Sequence, residues 1–133
     1  MSANLPQQWL DRASEDLTVA RLVLSEGHAS HACFLAQQCI EKSLKAYLLT
    51  KTGHCPRTHK LVDLLAACES CASAFARFRD SCIIVDQYYI PVRYPNGVPG
   101  GLPGGLPDKN EAEETINIAT DIFQFACKAL TDD

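Results

Sequence analysis

His31-Ala32-Cys33-Phe34-Leu35-Ala36-Gln37-Gln38-Cys39-Ile40-Glu41-Lys42-Ser43-Leu44-Lys45-Ala46 is the run on which the fold turns. With Tyr47 and Leu48 added, the residues Ala32, Ala36, Cys39, Ile40 and Leu44 recur at helical steps and make a wide apolar stripe. The spacing predicts a helix over roughly 30–51, stopped by Gly53. On the amino-terminal side, Leu10, Ala13, Leu17, Ala20 and Leu24 step by three and four and predict a helix over roughly 7–26, with Gly27 as its stop.

On the other side, Leu61, Leu64, Leu65 and Cys68 mark a short helix for which Thr58 is the natural cap. Phe75, Phe78, Cys82, Val85 and Tyr89 keep helical spacing up to Pro91, so Cys82-Ile83-Ile84-Val85 reads as helix despite its strand-like composition. A last stripe runs through Ala112, Ile116, Ala119, Phe123, Ala126 and Leu130. Before it, Asp108 and Glu111 have capping-box spacing, with Asp standing for the usual Ser or Thr. The expectation is all-α: an antiparallel up-and-down bundle of four long helices plus one short one.

Glycine and proline divide this pattern in one place. Gly97, Gly100, Gly101, Gly104 and Gly105 alternate with Pro95, Pro99, Pro103 and Pro107, and Gly-Gly-Leu-Pro occurs twice in tandem. Neither helix nor central strand tolerates that density, so residues 95–107 read as a flexible loop within a single domain spanning 1–133.

Length and composition agree. A chain of 133 residues, 47% hydrophobic and 21% charged, is one ordinary globular domain, with a core large enough to need no staple. No run of about 18 apolar residues suggests a membrane span. The start, Met1-Ser2-Ala3-Asn4-Leu5-Pro6-Gln7, has neither the basic nor the apolar part of a secretory signal, so a cytoplasmic protein is expected. Seven cysteines without such a signal read as reduced thiols packed as small hydrophobes. The net charge of -4 argues against a protein that coats nucleic acid. The acids gather in residues 108–133, whereas Lys42, Lys45, Lys51, Arg57 and Lys60 form a basic stretch.

Taken together, Asp16-Leu17-Thr18-Val19-Ala20-Arg21, the run 31–46, Thr58-His59-Lys60-Leu61, the segment from Tyr89 through Arg93-Tyr94-Pro95 and the late Glu111-Ala112 resemble HEPN domains (higher eukaryotes and prokaryotes nucleotide-binding). The similarity covers most of the chain in order. It implies a four- or five-helix bundle, usually a homodimer. Many bacterial and archaeal members are paired with a small nucleotidyltransferase in a two-component or toxin–antitoxin system. Some members are metal-independent ribonucleases, in which an Arg and a His with four to six residues between them meet across the dimer. In the matching region here, Tyr88 to Asn96, no histidine follows Arg93, which argues against RNA cleavage. Arg21 and His28 have that spacing, but they sit at the end of the first helix.

Candidate binding residues follow from chemistry. Lys42 and Lys45 share a helical face, and the connection to His59 and Lys60 can fold back beside them to hold a phosphate, helped by the first amides of the third helix. The same cations are equally suited to a solvated face near a helix end. Arg93 can grip a phosphate and Tyr94 can stack on a base; equally, Arg93 can pair with an acid of the last helix while Tyr94 closes the core. His28, His31 and Cys33, then His54, Cys55 and His59, and the pair Cys68 and Cys71 fall short of four convergent metal ligands, so no metal and no cofactor are expected. No nucleophile triad or carboxylate pair stands out. The expected function is a dimeric binding module for a nucleotide or RNA phosphate, with a nucleotidyltransferase partner. A ribonuclease and a purely structural dimer are the alternatives.

Overall fold

The computed structural model describes residues 4–89 and 105–131. Within them lie α1 (Leu5–Ser25), α2 (Ala29–Thr52), α3 (Leu61–Cys71), a 3-10 segment (Ser73–Phe78), α4 (Arg79–Asp86) and α5 (Lys109–Thr131). The described residues contain no strand, and the fold is all-α as the spacing requires.

Local chemistry sets the ends. Asn4 Oδ1 accepts from Gln7 N at 3.1 Å and Pro6 occupies the first turn, so α1 starts with one orphan amide satisfied and another absent. Gly53 takes the left-handed conformation, φ +73°, that closes α2, its N–H donating to Leu49 O. Asp108 and Glu111 form the expected reciprocal box: Glu111 N donates to Asp108 Oδ1 at 2.8 Å, and Asp108 N to Glu111 Oε1 at 3.0 Å.

α2 is the central wall. It packs against α1, α5 and α3, and its buried residues lie all round it. Ala13 and Ala20 of α1, Ala32, Ala36 and Cys39 of α2, and Ala112 and Ala119 of α5 are all fully buried in one core. At one end an aromatic cluster fills the wider space. Phe75 meets Tyr47 and Phe125 edge-on at 4.6 and 4.9 Å, and Phe78 meets Phe125 at 5.3 Å.

Two features depart from the simple pattern. The stripe from Phe75 to Tyr89 is not one long helix: Ala72 is extended, the 3-10 segment follows, and α4 ends at Asp86, five residues before Pro91. Among the described residues, three long α-helices and two short ones result. Phe75 and Phe78 are three apart, a spacing that a 3-10 turn buries as well as an α-helix does. The second departure is the connection 53–60, which runs back along α2. Gln37 Nε2 donates to His59 O at 3.3 Å, while Cys68 Sγ donates to Leu44 O at 3.8 Å. α3 therefore starts beside the middle of α2 and advances in the same direction, so this pair does not alternate up and down.

Thr58 does not cap α3. The cap position is Lys60, and the Thr58 hydroxyl accepts from Lys60 N instead. The first amides of α3 are satisfied from a distance: Asp86 takes Leu61 N at 2.7 Å and Val62 N at 3.1 Å. Among the described residues no helix is long and apolar enough to cross a membrane.

Candidate functional site

The most concentrated polar chemistry lies in the middle of α2, where an otherwise apolar helix buries Gln37, Glu41 and Lys45. Glu41 is the hub. Its Oε2 accepts from Lys45 Nζ at 2.8 Å, one helical turn on, and faces His59 Nδ1 at 2.9 Å. Its Oε1 accepts from Gln37 and Gln38 amides, both at 3.4 Å. A carboxylate can only accept, so the Nδ1 of His59 carries the hydrogen and Nε2 is the ring nitrogen left for other partners. The three members differ in environment: the Glu41 and Lys45 side chains are 7% and 10% exposed, that of His59 61%.

The His59 ring lies flat on Tyr89, with centroids 5.3 Å apart and planes within 12°, and Tyr89 in turn touches Phe34 of α2. The backward run of the 53–60 connection is what delivers His59 here. The cluster thus joins α2, that connection and the turn after α4. Trp9 of α1 closes another side: Lys45 Nζ sits 5.8 Å from its ring centroid. The indole Nε1 is buried and without an acceptor among the described residues, the kind of orphan that costs about 1–3 kcal/mol.

Of the residues expected to bind phosphate, Lys45 and His59 are brought together on Glu41. Lys42 is turned to α1, where it pairs with Asp16 at 2.6 Å; burial keeps the Asp16 carboxyl above its ordinary range despite that cation. Lys60 is exposed at the start of α3. Arg93 and Tyr94 lie outside the described residues, as does the expected loop apart from its last three residues, 105–107. The α3 amides are not open to a phosphate, because Asp86 occupies them. Arg21 points to α5 and donates to Thr120 at 2.8 Å. His28 and His31 stand edge to face at 6.1 Å.

Cys33, Cys39, Cys68 and Cys82 are buried, and loss of hydration pushes their thiols up to about 11 for Cys33 and about 12 for the others. They are packing residues in this fold. Among the described residues no three His, Cys, Asp or Glu side chains converge on a point where a metal could sit.

Glu41, Asp86 and Trp9 escaped the reading of the sequence. A signal for Glu41 was present: Gln37, Glu41 and Lys45 repeat at four-residue intervals inside an apolar stripe, a ladder that buries polar groups where they can satisfy each other.

Comparison with known proteins decides the family. A model described as the HEPN domain matches residues 6–130. The chain belongs to the HEPN domain family. Two solved structures share the HEPN architecture found here. TT1696 from Thermus thermophilus is 32% identical, with a TM-score of 0.82 over 95% of this chain and 98% of that one. ST0689, described as an archaeal HEPN homologue, is 31% identical, with a TM-score of 0.73 over 97% and 98%. A shorter similarity links the chain to a Methanocaldococcus jannaschii protein named "Putative toxin MJ1304", at 42% identity over 41 residues. That stretch spans 31% of this chain and 27% of the relative.

Proposed function

We propose that this HEPN chain is a homodimeric, cytoplasmic binding module for a phosphate-bearing ligand, a nucleotide or an RNA, and that it works with a small nucleotidyltransferase in a toxin–antitoxin-type pair. The observation that carries this reading is the family match across residues 6–130. The relative named as a toxin favours the paired system. The ligand site centres on His59, with Lys60 beside it and Arg93 and Tyr94 contributed by the segment that follows Tyr89. Lys42 and Lys45 contribute less directly, since each already faces a carboxylate. Lys45 and Glu41 set the position of the His59 ring, and Tyr89 supports its face.

Native co-purification with mass spectrometry tests the partner and any bound nucleotide together. A nucleotidyltransferase or a stoichiometric nucleotide is the expected result. Titration with nucleotides and short RNA then tests the site, with Arg93→Ala and His59→Ala expected to weaken binding roughly tenfold each if each loses a charge-assisted phosphate contact. Unchanged affinity in both variants removes the site.

One observation favours a second reading, the metal-independent ribonuclease. A carboxylate fixing one nitrogen of an exposed imidazole is an arrangement that suits proton transfer. RNA cleavage that survives chelator and disappears in His59→Ala would replace the binding-module reading with this one.

A further inference from the structure

A groove apart from the Glu41 cluster lies between the 3-10 segment and α5 and sets two cations beside an apolar floor. It measures about 460 Å³, is lined by Arg77, Asp121, Gln124, Phe125, Lys128 and Ala129, and shares no residue with that cluster. Its size falls within the range of small-molecule sites, about 300–1,000 Å³. The five α5 residues are spaced at three and four, so they form one continuous strip along the helix.

Arg77 gives the groove its character. Its guanidinium lies 4.5 Å from the Phe78 ring centroid and 4.9 Å from that of Phe125. The two rings meet at 73°, so the guanidinium sits in the corner between them. Such contact orients the fork but supplies no counter-ion. Among the described residues no carboxylate lies within ion-pair distance of Arg77 or Lys128, although Asp121 lines the same groove. Two cations that no described carboxylate pairs with, an amide from Gln124, and a floor of Phe125 and Ala129 suit an anion carried on a flat apolar body, Asp121 being the one acid of the lining.

We propose that this groove binds a small aromatic phosphate or carboxylate, the oxyanion held by the Arg77 fork and Lys128 and the ring laid on Phe125 and Ala129. The Gln124 amide adds a neutral donor. Asp121 stands at the far end of the strip and sets a limit on how much negative charge the site accepts.

The test is a titration of the full chain with phenyl phosphate, benzoate and inorganic phosphate, read by calorimetry and by the side-chain N–H resonances of Arg77 and Gln124. Saturable binding of phenyl phosphate or benzoate is expected, with inorganic phosphate clearly weaker because it lacks the ring; whichever aromatic anion binds tighter identifies the charged group. Arg77→Lys keeps the charge and loses the fork, and should weaken binding roughly tenfold. Lys128→Gln, at an exposed position that leaves the fold intact, should weaken it as well. Asp121→Asn should tighten it by removing repulsion. The site is overturned if none of the three anions saturates at millimolar concentration. Equal affinity of inorganic and phenyl phosphate, or wild-type affinity in both Arg77→Lys and Lys128→Gln, overturns it too. In that event Arg77 only covers the Phe78 and Phe125 rings, and Arg77→Met will match the wild type in thermal stability.

Discussion

Asp86, at the last turn of α4, takes the first free amide of α3, with its Oδ1 2.7 Å from Leu61 N, and its second oxygen accepts from Val62 N. A residue 25 positions downstream therefore serves as the helix cap, and in doing so fixes how α4 lies against α3. Burial holds the Asp86 carboxyl above its ordinary range even though both amides pull it down. Asp86→Ala should cost about 1–2 kcal/mol, the upper part of the range for lost caps. Asp86→Asn, which keeps one acceptor, should cost less. Urea denaturation of the three proteins checks the order.

Removing one partner of the buried pair in α2 should be more severe. Glu41→Ala leaves the Lys45 ammonium buried without a counter-ion, at a cost of about 3–5 kcal/mol. Replacing both, as Glu41→Leu with Lys45→Met, should restore most of the loss. His59→Ala, at a largely exposed ring, should change stability by less than about 1 kcal/mol. A double-mutant cycle by denaturant unfolding separates these terms.

The capping box at the start of α5 is a smaller lever. Asp108→Ala removes the acceptor for Glu111 N and should cost about 1 kcal/mol. Hydrogen exchange confined to the first turn of α5 should rise with it.

The buried thiols make stability fall in alkali. Their folded-state values, about 11 for Cys33 and about 12 for Cys39, Cys68 and Cys82, lie above the 9.0 of an ordinary thiol. Because the folded state holds these protons more tightly, their contribution is fully present below about pH 9. It is lost progressively as pH climbs toward 11 and 12. Tm should therefore drop more steeply between pH 9 and 10.5 than between pH 7 and 8.5, and Cys39→Ala with Cys82→Ala should flatten the decline. Equal slopes in the wild type and the double variant would refute the assignment.

How far the sequence revealed this molecule depends on the range over which each interaction acts. The stripes of α1, α2 and α5, the stop at Gly53 and the Asp108–Glu111 box are local, and each could be read within a few turns of chain. Thr58 misled because its hydroxyl is used within its own turn, while the helix it precedes is capped from α4. The break between Phe75 and Tyr89 was invisible for a related reason, since residues three apart face one side in either kind of helix. The candidate site divides in the same way. His59 and Lys45 stood out as cations, but Glu41, which brings them together, was masked by the apolar residues around it, and the backward path of 53–60 has no local signature.

The enclosure of α2 has a consequence for motion. A helix covered by α1, α3 and α5 cannot open one face while keeping the others closed. The amide protons from Ile40 to Leu48 should be the slowest in the chain to exchange with solvent deuterium, and they should share a single opening free energy equal to that of global unfolding. The ends of α1 and α5, each with a face to water, should exchange through smaller and separate openings.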